Sequence, residues 1–256
     1  MLVDLSDWGH LRVGGGDRVR FLHGLTTINV ETMAVGDQRW GCVLNAKGRV
    51  LSVVQLERRA EDFVIHCEGS IADKTLAIFQ RYAVMDDVDL AHLPPGPAHR
   101  VWTTPAAAYT APCVMAAPPG APAPAADVEA FRIAAGFVRY GADIDEDSFP
   151  FETPLGQFLD YDKGCYVGQE PVFRVRSQGN AARALRGLRL ADGVEIATGA
   201  QVSHASRSNA GTVTSVGRSA AFGHVALAYL HRTVFEVGGT VEVGGAPATV
   251  TALPMA

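Results

Sequence analysis

The chain has 256 residues, 48% of them hydrophobic, which is enough to bury a substantial core in one composite domain or two smaller ones. Its 22 Lys and Arg against 27 Asp and Glu leave a formal charge of -5, which argues against a sequence-independent nucleic-acid binder and predicts no direct nucleic-acid partner. No apolar run approaches the ~18 residues of a membrane span, and the start Met-Leu-Val-Asp-Leu-Ser-Asp is too acidic for a signal peptide, so we expect a cytoplasmic protein without a membrane partner.

The first predicted element is a helix that follows a glycine turn. Residues 14–16 are all glycine, Asp17 is a candidate cap, and Val19, Leu22 and Leu25 recur on one helical face. Three glycines also occur in phosphate-binding loops. No Lys-Ser/Thr follows them and the spacing is not Gly-x-Gly-x-x-Gly, so a plain turn is the better interpretation.

Strand-like segments come next and then give way to a helical pattern. Strands are predicted at 40–44, 50–56, 63–66 and 88–90, with a turn at 45–48. Ser70 and Asp73 resemble a capping box at the start of a helix that runs to about Tyr82. This succession predicts an α+β layer with helices packed on one face of a sheet.

The segment 94–126 is rich in proline and alanine. Such a composition disfavours regular structure and a share in the core, so we predict a mobile loop or linker there. A helix capped by Asp127 is expected to follow and to end at Ala135.

The last quarter of the chain is rich in short apolar runs separated by glycine turns. Strands are predicted at 185–190, 210–216, 224–230, 240–243 and 248–253, which is typical of a small barrel or sandwich. We therefore divide the chain into an α+β region, 1–183, and a C-terminal β-barrel, 184–256.

Neither the cysteines nor the histidines are spaced as metal ligands. Cys42, Cys67, Cys113 and Cys165 form no Cys-x-x-Cys pair, and the eight histidines form no His-x-His or His-Glu-x-x-His motif. The sequence predicts free thiols and no metal site.

Residues 163–170, Lys-Gly-Cys-Tyr-Val-Gly-Gln-Glu, are the segment most suggestive of chemistry. Gly164 and Gly168 free the backbone around Cys165, and Pro171 suits the first turn of a helix. The helix N-terminus and Lys163 both favour the thiolate form of a nearby cysteine, whereas Glu170 opposes it. From these features alone, an inert buried cysteine is an equally good interpretation.

This octapeptide resembles the signature Lys-Gly-Cys-Tyr-x-Gly-Gln-Glu of YgfZ-type proteins, which belong to the superfamily of the glycine-cleavage aminomethyltransferase. The chain also resembles that family at 16–27, 44–51, 132–141 with Asp143, Arg174, 179–185 and 226–230.

The resemblance implies a fold and a function. The fold is a ring of α+β, ferredoxin-like units around a central hole that admits tetrahydrofolate, with a C-terminal β-barrel. The function is a folate-binding accessory role in iron–sulfur cluster assembly or repair, with iron–sulfur proteins as clients and an effect on tRNA modification through iron–sulfur enzymes.

The resemblance also implies site residues in the matching blocks. Cys165 is expected to be the functional thiol, with Lys163 beside it as a second catalytic residue. The residues expected to contact the folate are Asn45, Tyr166, Gln169, Glu170 and Arg174.

Other readings of these site residues stay open. Tyr166 could stack on a pterin or pack into the core. Arg174, Arg176 and Arg183 could pair with the glutamate tail of folate, or belong to a solvated face.

Two departures from the enzymes argue against the glycine-cleavage reaction. Where the enzymes carry a carboxylate beside the folate, this chain has Ser52 and Val53, which cannot stabilise a developing positive charge. Where the enzymes bind the pterin with a glutamate, this chain has Ala134, which removes hydrogen bonds worth roughly 1.5 to 3 kcal/mol. The acids that could substitute are Asp143, Asp145, Glu152 and Asp160.

Two alternatives to the accessory role therefore remain. One is a tetrahydrofolate-dependent aminomethyltransferase or demethylase that uses a relocated carboxylate. The other is a scaffold that has lost the ligand and binds partner proteins.

Overall fold

The computed structural model describes residues 1–179, 181–191 and 193–255, without the side chains of residues 176–178. Within this part of the chain, none of the helices combines the length and the apolar character needed to cross a membrane. The strands are β1 (Leu2–Asp4), β2 (Gly9–Gly14), β3 (Gln38–Leu44), β4 (Val50–Arg58), β5 (Phe63–Cys67), β6 (Asp89–His92), β7 (His99–Val101), β8 (Arg183–Leu190), β9 (Gln201–His204), β10 (Arg207–Ser219), β11 (Gly223–His231), β12 (Thr240–Val243) and β13 (Ala246–Thr251). The α-helices are α1 (Arg18–Leu25), α2 (Ala72–Tyr82), α3 (Ala125–Ala135) and α4 (Gln169–Gln178).

The N-terminal region is built on a five-stranded antiparallel sheet in the order β3–β4–β5–β2–β6. The middle strands are buried on both faces, because apolar residues cover each side of the sheet. One face packs on α1 and α2 through side chains that include Phe21, Leu22 and Phe79. The predicted α+β layer is therefore confirmed.

The helices lie close to where the sequence predicts them, but the predicted capping residues make no cap hydrogen bonds. Asp17 stands at the start of α1, but its carboxylate accepts the backbone N–H of Asp87 at 2.9 Å and makes no cap bond. Helix α2 begins at Ala72 after a short 3-10 turn, also without a side-chain cap. Asp127 lies inside the first turn of α3, which begins two residues earlier at Ala125.

The C-terminal strands form a closed barrel in the order β10–β11–β8–β13–β12–β9, which confirms the predicted barrel. Inward and outward positions alternate along β12 and β13, as a closed sheet around an apolar interior requires. Residues such as Leu188, Ala226 and Val250 fill that interior. Strand β9 was not predicted, because Gln201–His204 offers only one apolar residue.

The segment 94–126 differs from the expected loop without a share in the core. Its strand β7 pairs with β1, and Trp102 lies buried with its ring stacked on Phe131 at 5.1 Å between centroids. Ala98, Ala108 and Cys113 are buried as well. The prediction was wrong here because isolated apolar residues between prolines can join a core that other elements provide.

One apolar cluster joins the sheet, the segment 94–126, helix α3 and the barrel. It includes Trp40 and Val53 from the sheet, Phe131 from α3, and Leu185 and Leu227 from the barrel. The sheet, the segment 94–126, helix α3 and the barrel are thereby joined by side chains from regions far apart in sequence.

Candidate functional site

The loop that carries Cys165 has the form that its sequence predicts. Gly164 and Gly168 both adopt positive φ, at 96° and 82°, and Gly168 caps the start of α4. Pro171 stands in the first turn of that helix, where its missing N–H costs nothing. The loop places Cys165 four residues before the helix begins.

Cys165 differs from the other cysteines in its exposure. All four cysteines are free, but Cys42, Cys67 and Cys113 are buried whereas Cys165 is exposed. Burial raises the pKa of Cys42 to about 12 and that of Cys113 to about 11, so both thiols are protonated at neutral pH when no metal is bound. An inert core cysteine, the alternative interpretation of Cys165, does not fit its exposed position.

The Lys163 side chain anchors the Cys165 loop to helix α1. Its ammonium donates hydrogen bonds to the backbone carbonyls of His23 and Thr26, the latter at 2.8 Å, at the C-terminal end of α1. His23 Nε2 in turn contacts the Lys163 carbonyl at 2.6 Å. Burial lowers the pKa of Lys163 to about 8, against the opposing influence of Asp160 and Glu31. The side chain therefore compensates the last carbonyls of α1, as cations at helix C-termini do.

Asn45 lies in the β3–β4 turn and shapes it. Its Oδ1 accepts the backbone N–H groups of Lys47 at 2.9 Å and Arg49 at 3.1 Å. The turn rests directly on the Cys165 loop, since a Cβ on Gly168 would collide with the carbonyl oxygen of Asn45 and one on Gly48 would lie 3.1 Å from Pro171. Two blocks more than 110 residues apart along the chain are thus one structural unit.

Tyr166 and Gln169 lie inside this unit. Tyr166 is 7% exposed and packs in the central apolar cluster, and burial raises the pKa of its phenol above the usual range. Its hydroxyl has no hydrogen-bond partner among the described residues. Gln169 Oε1 accepts the backbone N–H of Tyr166 at 3.3 Å. Both side chains support the loop in this conformation.

Glu170 and Arg174 stand apart from Asn45 and Tyr166. They form an i, i+4 ion pair of 2.7 Å on the exposed face of α4, with most of both side chains in solvent. Arg183 pairs with Glu152 at 3.1 Å and lies over the ring of Tyr229. The side chain of Arg176 lies outside the described residues.

The positions that lack the enzymes' carboxylates are closed to solvent. Ser52 is fully buried, with its hydroxyl 2.7 Å from that of Thr75, while Val53 and Ala134 belong to the central cluster. Among the acids that could substitute, Asp143 is bonded to Arg132 and Glu152 to Arg183.

Asp160 is one of the substitute acids that line cavities, and its cavity lies beside the loop. The cavity has a volume of about 370 Å³ and is bounded by residues 27–29, 39–40 and 157–162. It therefore ends at the residue before Lys163, and the rings of Trp40, Phe158 and Tyr161 form part of its wall. Trp40 Nε1 and Asn29 Oδ1 are buried and have no partner in the described part of the chain.

Comparison with known proteins agrees with this architecture. Residues 183–256 match the family model of the glycine cleavage T-protein C-terminal barrel domain. The crystal structure of glycine cleavage system aminomethyltransferase T from Bartonella henselae superposes with a TM-score of 0.82 at 18% identity, covering 99% of this chain and 85% of that one. At this identity, the likeness shows the fold alone.

Two curated relatives of this chain are YgfZ proteins. The tRNA-modifying protein YgfZ of Yersinia enterocolitica is 27% identical, over 72% of this chain and 69% of that protein. The YgfZ protein of Serratia proteamaculans is 31% identical over 90 residues, which is 35% of this chain and 27% of that protein.

The chain is similar to YgfZ-type proteins and, over residues 183–256, to the glycine cleavage T-protein family. The sequence could single out Cys165 and its glycines because they lie within eight consecutive residues. Sequence reasoning missed the carbonyls of His23 and Thr26 that hold Lys163, and also the ring of Trp40. No local pattern marks these groups, which reach the site through the packing of α1 and β3.

Proposed function

We propose that this chain is a folate-binding accessory protein that supports iron–sulfur cluster assembly or repair, with Cys165 as its working thiol. Through iron–sulfur enzymes, this activity sustains tRNA modification in the cell. The observation that carries the proposal is the exposure of Cys165 on a loop held in place by α1 and the β3–β4 turn. A thiol so placed can meet a partner protein, and its thiolate can bind iron or react with sulfur species.

The cavity beside the loop is the candidate folate site. Its volume of about 370 Å³ falls within the range of small-molecule pockets, and its aromatic wall offers a face for a pterin ring. The unpartnered Trp40 Nε1 and Asn29 Oδ1 are a donor and an acceptor, which a pterin can complement if the wall opens to it. The residues present therefore fit the cofactor.

Charged groups in the same cavity suggest how a folate is oriented. Asp160 supplies an acid for the N–H groups of a pterin, in place of the glutamate that Ala134 replaces. Arg39, which also pairs with Asp37 at 3.1 Å, supplies a positive charge that the carboxylates of the glutamate tail can share. Asn45, Tyr166 and Gln169 contribute by shaping the loop, whereas Glu170 and Arg174 lie on the exposed face of α4, where the tail could extend.

The glycine-cleavage reaction is not part of the proposal. No carboxylate stands at Ser52, Val53 or Ala134, and all three positions are buried. An aminomethyltransferase or demethylase that uses Asp160 is the second candidate, because that acid lines the cavity. Turnover of tetrahydrofolate to its methylene form with candidate amines would identify it.

Complementation in a bacterial strain that lacks its own YgfZ-type protein tests the role of Cys165. The readout is the level of a tRNA modification made by an iron–sulfur enzyme, measured by mass spectrometry of tRNA nucleosides. We expect the natural chain and Cys67→Ala to restore it and Cys165→Ser to fail while staying folded. Full restoration by Cys165→Ser would contradict the proposal and favour a scaffold without thiol chemistry.

A further inference from the structure

Three buried side chains outside the folate cavity meet at one point. His10 on β2 faces His66 on β5 as its direct cross-strand partner, and Cys113 reaches them from the segment 94–126. One nitrogen of each imidazole and the sulfur all lie within 4.8 Å of one another, and each residue is less than 5% exposed. We propose that His10, His66 and Cys113 bind a thiophilic d10 metal ion, Zn²⁺ or Cu⁺. This inference is independent of the function proposed above.

The two imidazoles present their Nδ1 atoms to the same point. These atoms are 2.9 Å apart, while Nε2 of His66 lies 3.0 Å from the Glu57 carboxylate. The carboxylate fixes the proton of His66 on Nε2 and leaves a lone pair on Nδ1, an arrangement that recurs around histidine ligands of metals. Tetrahedral Zn²⁺ with bonds of about 2.0 to 2.1 Å needs roughly 3.3 Å between two nitrogens, so the rings have to separate by only a few tenths of an ångström.

Cys113 is held in position by a neighbouring strand. The side chain of Gln38 on β3 accepts the backbone N–H of Cys113 at 2.8 Å and donates to its carbonyl at 2.8 Å. The same amide lies 3.4 Å from the Glu57 carboxylate that orients His66. The sulfur and one imidazole are therefore positioned by a shared set of supporting hydrogen bonds, as a preorganised site requires.

The hydrogen bonding without a metal is incomplete. His10 Nε2 is buried and has no partner in the described residues. Most buried polar atoms in native proteins do have a partner, so this one calls for an explanation. When a metal takes the lone pair of Nδ1, Nε2 carries the proton and becomes a donor that a small shift or a water can satisfy.

One nearby charge, that of Arg100, favours a bound thiolate, whereas the Glu57 carboxylate opposes it. Arg100 is fully buried and donates to the neutral Gln55 at 2.6 Å, and its Nε and Nη1 have no partner among the described residues. A metal-bound thiolate at Cys113 would supply the negative charge that this guanidinium lacks. With one thiolate and two neutral imidazoles, the site is neutral for Cu⁺ and carries one positive charge for Zn²⁺, and both ions suit nitrogen and sulfur ligands.

No spacing in the sequence reveals this cluster. Its members lie at positions 10, 66 and 113, and the pairing of β2 with β5 is what brings the histidines together. The prediction of no metal site relied on the absence of a metal-ligand motif. Such a motif cannot reveal a site that strand register assembles.

Cobalt titration of the purified full chain tests the proposal. Co²⁺ serves as the spectroscopic probe for Zn²⁺, and Cys165→Ser is present throughout so that the exposed thiol does not contribute. We expect one equivalent of Co²⁺ to give a thiolate-to-metal charge-transfer band that Zn²⁺ abolishes. A parallel competition of Cu⁺ against a colorimetric chelator decides between the two ions.

Variants of the proposed ligands and of a buried control cysteine test whether the metal binds at this cluster. Cys113→Ser and His10→Gln should lose the band and at least ~100-fold in affinity, Glu57→Gln should lose ~10 to 100-fold, and the buried control Cys67→Ala should bind normally. Circular dichroism confirms the folding of each variant, and two independent ligand variants guard against one that fails to fold. An unchanged cobalt spectrum in both ligand variants, or no binding of either Zn²⁺ or Cu⁺, would overturn the proposal.

Discussion

Gly168 packs tightly against the β3–β4 turn. Its backbone has a φ of 82°, which disfavours any residue with a side chain, and an added Cβ would collide with the Asn45 carbonyl and lie 2.8 Å from Leu44 Cβ. Gly164 shares the positive φ but has open space around it. Alanine substitutions at the two glycines therefore distinguish the cost of backbone strain from the cost of steric collision.

Gly164→Ala should cost about 1 to 2 kcal/mol of unfolding free energy, the penalty of the left-handed conformation alone. Gly168→Ala should cost more than ~3 kcal/mol, because collision adds to the strain. Urea denaturation of both variants gives the comparison. Equal costs would show that the loop does not rest on the turn as described.

The pKa of Lys163 gives a prediction with a definite sign. Burial lowers it to about 8 in the folded chain, below the ordinary value of a lysine, so between these values the unfolded chain binds more protons. Stability from this residue must then rise with pH across that window, by up to ~1.4 kcal/mol per pH unit. Lys163→Met removes the titration and is the matched reference.

Urea denaturation of the natural chain and Lys163→Met at pH 8 and pH 10 measures this effect. We expect the stability of the natural chain relative to the variant to increase at the higher pH. The remaining titrating groups are common to both proteins and cancel in the difference. A difference that stays constant or shrinks with pH would contradict the buried position of the ammonium.

At the scale of elements, the segment 94–126 shows that composition alone does not reveal which residues join the core. Trp102, 3% exposed, stacks on Phe131 of α3 and donates its indole N–H to the Ala108 carbonyl at 3.1 Å. Trp102→Ala should therefore cost about 3 to 5 kcal/mol, as for other large aromatic truncations. Pro119→Ala, at an exposed position of the same segment, should change stability by less than ~0.5 kcal/mol.

Thermal and urea unfolding of these two variants provide the measurement. If Trp102→Ala were as mild as Pro119→Ala, the segment would be a loop without a share in the core, as its composition suggested.

Local patterns predicted those elements that depend on local signals. The barrel strands β8, β10, β11, β12 and β13 and the ends of α2 and α3 follow from apolar periodicity and turn glycines. Strands β1 and β2 escaped prediction because β1 has three residues and β2 begins and ends at glycine. Their places depend on partners distant in the sequence, which no short window contains.

The features of the candidate site likewise fall into those that the local sequence predicts and those that only tertiary packing creates. The motif around Cys165 is contiguous and could be read directly, as could the turn at Asn45. The contact between them, the carbonyls that hold Lys163 and the meeting of His10 with Cys113 arise from tertiary packing. The last of these requires the register of β2 on β5, which one slip would abolish.

At the scale of the whole molecule, a buried charge pair ties α3 to the barrel. Arg132 donates to the Asp143 carboxylate at 2.6 Å, and the other carboxylate oxygen accepts the hydroxyls of Thr214 and Ser215 on β10. Asp143→Asn should cost about 1.5 to 3 kcal/mol, because it removes one of the two carboxylates that pair with the buried guanidinium of Arg132, the other being Glu129 at 2.7 Å. Asp147→Asn, at an exposed position nearby, is the matched control.

Unfolding followed by circular dichroism and by tryptophan fluorescence measures this cost. All three tryptophans precede the barrel, so coincident transitions in the natural chain indicate that the two regions unfold together. A cost for Asp143→Asn no larger than that for Asp147→Asn would contradict the role of this pair.

In the proposed function, this chain binds a folate beside an accessible thiol that binding itself does not need. Calorimetric titration of tetrahydrofolate into the purified reduced protein, with Cys165→Ser alongside, tests it most directly. The account predicts one site with micromolar or tighter affinity in both proteins. No binding of tetrahydrofolate up to millimolar concentration would contradict the account and favour a scaffold that has lost its ligand.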